Sequence, residues 1–292
     1  MNNPRRQRGV ALISVLLITA LVTLIISDML ARQRLSVASS ANQLQQQQLW
    51  QLALSGETWA REQLRSDVRA DDGLTRVHLG QRWPQDGGEL EIEGGRIRIH
   101  LEDLGARFNL DRLRNPNDEL NRARYQRLLA QLGLPPHDPA SLPTTAGYNH
   151  KPLPFADSSE LRRLVALDFS GWQRLQPWVA TTGLAALNIN TASAQLLATL
   201  ESLDLGIAQA LVQQRPADGY KSVQEFLEQP LLQGRQVNGA GLTTSSSNFR
   251  ATLEVALGER RLHLISDLRT GIDGQVQVLR RQLVAPLRTF SE

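Results

Sequence analysis

The chain has 292 residues, 41% of them hydrophobic, and a net charge of +3, a size and composition that suit two or three modest folded domains. The basic excess is slight, spread along the chain and carried almost wholly by arginine (the only lysines are Lys151 and Lys221), which argues against nucleic acid as the main partner. There is no cysteine, so disulfides and thiolate metal sites are excluded while the redox compartment stays open.

The N-terminus opens with Arg5, Arg6 and Arg8, a single Gly9, and an apolar run from Val10 to Ile26. At about 1.5 Å per residue this run spans roughly 26 Å, at the short end of what a bilayer needs. A cleaved secretory signal needs a small-x-small site after its core, and Ser27-Asp28-Met29 does not supply one. The arginines place the N-terminus in the cytoplasm and the remainder outside, by the positive-inside rule. Basic leader, glycine, apolar run and long helix together resemble the type IV prepilin signal. That resemblance implies cleavage by a prepilin peptidase between Gly9 and Val10, and N-methylation of Val10 as the new first residue. Most relatives carry glutamate as the fifth mature residue, where it pairs with the N-terminal amine of a neighbouring subunit. Here that position is Ser14. A subunit with no neighbour above it has no amine to neutralise, and a small hydroxyl avoids the cost of an unpaired buried carboxylate. Drift at a tolerant position is the plainer alternative.

From Ser27 to Leu64 the pattern turns polar but stays helical, with Leu30, Val37, Leu44, Leu49, Leu52 and Trp59 recurring near one or two turns. The glutamines at 45–48 read as a solvated helix face. A helix from Val10 to Leu64 would measure about 80 Å. Next, Glu89–Glu93 and Arg96–Leu101 alternate strictly on either side of Gly94-Gly95, which predicts a β-hairpin. Leu90, Ile92, Ile97, Ile99 and Leu101 would form its buried face, with glutamates and arginines paired across the polar face.

Asp103-Leu104-Gly105-Ala106-Arg107-Phe108-Asn109-Leu110-Asp111 ends the hairpin and opens a helical region. Asp111, Asn115, Asn117, Asp118 and Glu119 crowd together, a density of oxygens that could hold calcium, although the spacing is not that of an EF-hand loop. Capping of a helix over Leu120–Leu132 by Asn117 or Asp118 is the simpler account. The proline-rich 134–154 stretch reads as an irregular loop. Asp157-Ser158-Ser159-Glu160-Leu161 begins a further helix with a cap-like start.

Leu187-Asn188-Ile189-Asn190-Thr191-Ala192-Ser193, a helix over Ala194–Leu200, a second through Gln214-Arg215, and Tyr220–Leu227 resemble a helix-hairpin-helix unit. DNA-binding versions offer a Gly-apolar-Gly hairpin to phosphate. Here the hairpin is Ser202-Leu203-Asp204-Leu205-Gly206, with a carboxylate where phosphate would sit and only Arg215 and Lys221 close by. Asn188 and Asn190 would satisfy turn and cap hydrogen bonds. Phe249–Leu257, Leu262–Leu264 and Gln275–Leu279 alternate as strands, divided by turns at Gly258-Glu259 and Gly271–Gly274.

The prepilin-like start, the missing acidic residue, and the Asp103–Asp111, Asp157–Leu161 and Leu187–Ser193 motifs in that order resemble the K-type minor pseudopilins of the type II (general) secretion pathway. The implied fold is α+β: a long N-terminal membrane and filament helix, a pilin-like antiparallel sheet head, and a large inserted helix-hairpin-helix (SAM-like) α domain. The divisions expected are a cleaved leader at 1–9, a transmembrane helix part at 10–30, rod helix and first half of the sheet at 31–102, the inserted α domain at 103–247 with its helix-hairpin-helix part at 183–230, and closing strands at 248–292. The resemblance implies a single-pass inner-membrane protein of Gram-negative bacteria with a periplasmic head, at the tip of a pseudopilus. Its implied partners are the I- and J-type minor pseudopilins, the major pseudopilin and the prepilin peptidase, with no nucleic acid. The family usually carries an acidic Asp-Trp-x-Asp segment in the 134–154 region, which has no counterpart here, and some members bind calcium through acidic residues of the head; no cofactor is assigned, and calcium stays open. The five histidines His78, His100, His137, His150 and His263 form no i, i+4 pair, and no G-x-S-x-G, Walker or HExxH motif occurs. An enzyme is not expected; a membrane-tethered helix-hairpin-helix DNA-binding protein is the alternative function.

Overall fold

The computed structural model describes residues 4–69, 76–84, 89–92, 94–115, 117–142, 153–164, 166–183, 185–271 and 273–284. Helix α1 runs Pro4–Arg69, beyond the predicted Val10–Leu64 at both ends. Pro4 sits at the first helical position, where its missing N–H costs nothing. The chain divides within this helix into two compact units, Met1–Leu52 and Ala53–Glu292. In the first unit all side chains from Leu12 to Gln48 are exposed, the glutamines at 45–48 among them.

In the second unit the helix buries Ala53, Gly56, Glu57, Ala60, Leu64 and Asp67, a stripe at helical spacing of which half the side chains are small. Trp59, one of the apolar residues recurring at helical intervals, is only half-buried. The small residues let the helix lie close to the sheet: a Cβ added at Gly56 would stand 2.8 Å from Leu253 Cδ2 and 2.9 Å from Ile97 Cγ2.

That sheet has five antiparallel strands in the order β1 (Glu89–Ile92), β2 (Gly95–Asp103), β7 (Asn248–Leu257), β8 (Arg260–Thr270), β9 (Val276–Val284). Leu101 pairs with Ala251, Ile99 with Leu253 and Ile97 with Val255, and all six are buried. The alternation that predicted the strands therefore lines one apolar face. The predicted hairpin forms, with Leu90 opposite Ile97 and Gly94 at φ +82°, a conformation glycine adopts without steric cost. Its buried face is shorter than expected, because Leu90 is half-buried and Ile92 exposed. β1 is an edge strand, and the sheet offers cover on one side only. On the polar face Arg96 meets Glu89 at 2.9 Å and Arg98 lies near Glu89 and Glu254, the cross-strand pairing predicted. A bulge between Asp267 and Leu268 shifts the β8–β9 register; Arg281, opposite Ser266, faces the helix, and Arg280, opposite Asp267, faces the other side.

Between β2 and β7 the regular elements are mainly short α- and 3-10 helices, with four two-residue strands. The helical region expected after Asp103 is instead two 3-10 turns, Leu104–Ala106 and Leu110–Arg114, around the short strand β3 (Phe108–Asn109). Asp103 accepts from Gly105 N and Asn109 from Asp111 N, and such local side-chain bonds favour tight turns over a continuing α-helix. Helix α2 (Glu119–Gln131) is capped by Asp118. Asp157 and Glu160 form a complete capping box, but the element they open is a 3-10 helix, Ser158–Arg163. Helix α3 (Phe169–Leu175) precedes β4 (Val179–Ala180), which pairs with β3. These elements share a core that includes Phe108, Leu113, Tyr125, Leu128, Leu161, Trp172 and Leu175.

The rest holds a second core around Ile189, Leu197, Leu200, Leu211, Tyr220 and Phe226. It is built from β5 (Leu187–Asn188), α4 (Ala194–Leu197), α5 (Leu205–Gln213), α6 (Val223–Leu227) and β6 (Leu242–Thr243). Helix α4 stops three residues short of its predicted end, in turns where Ser202 takes φ +58°. β6 lies parallel to β5, so the chain leaves this region beside the point where it entered. Of the predicted loop at 134–154, residues 143–152 lie outside the described residues.

Candidate functional site

Gly9, Val10 and Ser14 all lie in α1, in the first unit. From Val10 to Ile26 the sequence carries no charge; the first charge is Asp28, which pairs with Arg32 at 2.9 Å. Thr19 and Thr23 donate their hydroxyls to Leu16 O and Thr19 O at 2.9 and 2.7 Å, so these polar groups are satisfied without water. Ser14 is exposed on the same segment. Among the described residues this is the one helix long and apolar enough to cross a membrane.

In the head, one buried carboxylate joins the sheet to the helical segment. Asp103, at the end of β2, is 3% exposed. It accepts from Gly105 N at 2.7 Å, Asn188 Nδ2 at 2.9 Å and Thr191 Oγ1 at 2.6 Å, and from the Ser246 hydroxyl. Burial pushes its pKa up, against the downward pull of Ser246, Thr191, Asn188 and Gly105. Asn188 also donates to Val77 O and accepts from Asn190 N, and Asn190 exchanges two hydrogen bonds with the Tyr220 backbone. The two asparagines thus do more than the predicted capping: they tie four separated stretches together, and both are fully buried. Sequence reasoning recognised the motifs at Asp103 and Leu187–Ser193 but not that they face one another. The signal available was a carboxylate at the end of an alternating strand, where a buried one needs several donors.

Three further groups of ionic contacts fix the head. Glu57 of α1, 2% exposed, accepts from Ser266 Oγ at 2.7 Å and from Arg281 at 2.7 and 2.8 Å. Burial would raise its pKa, but Arg281 and Ser266 together hold it below the ordinary value. Asp267 accepts from Arg250 and Arg280, and Arg280 reaches on to Asp157, so the 3-10 helix at Ser158–Arg163 is tied to three strands. Within the helical segment, Arg124 of α2 makes a two-point pair with Glu201 at 3.0 and 2.9 Å and donates to Asn238 O and Ala240 O. Burial alone would raise the Glu201 carboxyl; the hydrogen bonds and charge of Arg124, with backbone N–H groups, bring it down to about 2.

The hairpin residues serve structure. Asp204 caps α5 by accepting from Ile207 N at 2.9 Å, so its carboxylate occupies the helix N-terminus that a phosphate would need. Arg215 turns inward and donates to Ala192 O, leaving Lys221 exposed. The DNA-binding alternative finds no phosphate-tracking stripe here. The acidic cluster is likewise engaged: Asp111 accepts from Phe155 N and Gly183 N, and Asp118 from Asn121. Among the described residues no three His, Asp or Glu side chains gather to hold a metal ion.

Residues 187–245, spanning β5 to β6 and the link to β7, match the family model of type II secretion system protein K. Type II secretion system protein K of Pseudomonas aeruginosa is 34% identical over 96% of this chain and 93% of its own length. The corresponding protein of Klebsiella pneumoniae is 32% identical over 88% of this chain and 90% of its own. In the solved GspK-GspI-GspJ complex of the enterotoxigenic Escherichia coli type 2 secretion system, one chain has the same fold, with a TM-score of 0.71 at 24% identity over 84% of this chain and 99% of that one. With relatedness running over nearly its whole length, the chain belongs to the type II secretion system protein K family of minor pseudopilins.

Proposed function

We propose that this minor pseudopilin sits at the tip of the pseudopilus, where it helps start filament assembly and export folded proteins across the outer membrane. It is cut between Gly9 and Val10, methylated on Val10, and held in the inner membrane by α1 with its N-terminus cytoplasmic and its head periplasmic. The observation that carries the tip assignment is Ser14, a hydroxyl within a stretch free of charge from Val10 to Ile26. A subunit stacked beneath another gains from a carboxylate there, because the pair it forms lies in low dielectric; a terminal subunit does not. The complex named for the related structure supports I- and J-type minor pseudopilins as partners. The reading calls on no catalytic group and no cofactor.

The test is expression of the full chain with a prepilin peptidase and the I- and J-type minor pseudopilins. Gly9→Ala should leave a slower-migrating precursor, and the processed parent chain should co-purify with both partners. Normal processing of the variant, or no co-purification of the processed parent, overturns the proposal.

A further inference from the structure

We propose that Asn238 is a site of spontaneous deamidation, and that its isoaspartyl product loosens the clamp between α2 and the second core. Asn238-Gly239 is the one Asn-Gly pair in the sequence. It lies outside helix and strand, ahead of β6, and Asn238 is exposed. In the reaction the Gly239 amide nitrogen attacks Asn238 Cγ. The new C–N bond forms as the bond to Nδ2 breaks, and Nδ2 leaves as ammonia with the proton from the Gly239 nitrogen. Water then opens the cyclic imide at either carbonyl, giving aspartate or isoaspartate, so the only co-reactant is water.

The local geometry favours this course. Glycine at 239 puts no Cβ in the path of the attacking nitrogen. Among the described residues the Gly239 N–H donates to nothing, nor does Asn238 Nδ2, so neither the nucleophile nor the leaving group is tied. Asn238 Oδ1 accepts from Ala240 N at 2.8 Å. That donor polarises the amide carbonyl and stabilises the negative charge that grows on its oxygen during attack.

The consequence follows from what the same residue holds. Arg124 donates to Asn238 O at 2.7 Å and Ala240 O at 2.8 Å, and Asn238 N donates to Glu201 at 3.2 Å. Isoaspartate lengthens the main chain by a methylene and turns the carbonyl held by Arg124 into a free carboxylate. That carboxylate competes with Glu201 for one guanidinium and shifts Ala240 out of place.

The experiment ages the full-length protein in detergent, in mildly alkaline and mildly acidic buffer, with peptide mapping by mass spectrometry and isoaspartate methyltransferase labelling. Asn238 should convert before any other asparagine, mainly to isoaspartate, and faster in the alkaline buffer. Gly239→Ala should slow it severalfold; the added Cβ would meet Leu227 Cδ1 and Val223 Cγ1 at 3.1 and 3.2 Å, side-chain ends able to move. Asn238→Gln, a second variant that keeps the amide, should abolish labelling at this position. Aged protein should exchange backbone hydrogens faster in α2 and at 238–242. Retention of the Asn238 amide while other asparagines convert overturns the site, and conversion with unchanged exchange overturns the loosening.

Discussion

Arg124→Met removes the charge from the centre of the helical segment while keeping most of the side-chain volume. Arg124 is 2% exposed, and its loss leaves Glu201 with Arg127 at 3.3 Å and the Asn238 N–H at 3.2 Å and strands the Asn238 and Ala240 carbonyls. Breaking a buried pair by removing one partner costs about 3–5 kcal/mol; the partly open Glu201 and the remaining Arg127 place this case near the lower end. The lowered Glu201 carboxyl points the same way. A pKa held at about 2 in place of 4.5 corresponds to about 3 kcal/mol of stabilisation. Because the folded pKa is the lower one, that stability is present above 4.5 and lost as pH falls through about 2. Equilibrium urea unfolding of the full chain in detergent, followed by hydrogen exchange in α2 and run across acidic pH, reads both. The variant should lose about 3 kcal/mol at neutral pH and should also lose much of the parent's decline in stability on acidification. A loss below about 1 kcal/mol, the level of an ordinary surface pair, would refute the reasoning, as would an unchanged acid profile.

Gly56→Val should destabilise the head by about 1–3 kcal/mol through overpacking, since its Cβ has no room between Leu253 and Ile97; a melting temperature equal to the parent's would contradict this close approach. Glu57→Gln should cost about 1–2 kcal/mol, because the half-exposed Arg281 regains water. With a lowered folded pKa, the Glu57 contribution is present above 4.5 and disappears as pH falls through its folded value, so parent and variant should converge in acid. Asp103 has the opposite sign: its raised folded pKa gives a contribution complete below 3.8 and lost as pH rises through the folded value. The parent should therefore gain stability relative to Asp103→Asn on acidification, and a gain on going alkaline would contradict the assignment. The purified protein should not retard duplex DNA at moderate salt; a shift that weakens steeply with added salt would revive the DNA-binding reading.

Local pattern determined a great deal. Alternation around Gly94-Gly95 defined the hairpin, an unbroken helical run defined α1, and Asp118 and Asp157 announced the helix starts they cap. These signals are legible because each depends on residues a few positions apart: a period, a turn conformation or a cap hydrogen bond. The motifs that resemble the K-type family were legible for the same reason.

Tertiary structure alone decided where the charges go. Nothing near Glu57 in the sequence marks it as a core residue; its burial is tolerable because Ser266 and Arg281, brought over by β8 and β9, satisfy it. Asp103 likewise finds Asn188, Thr191 and Ser246 only after the whole helical segment has folded, and Arg124 finds Glu201 and the two carbonyls only across two cores. Hydropathy assigns such residues to solvent, because burying a charge is unfavourable until its partners arrive. Those partners lie far along the chain, and only the completed fold brings them within hydrogen-bonding distance.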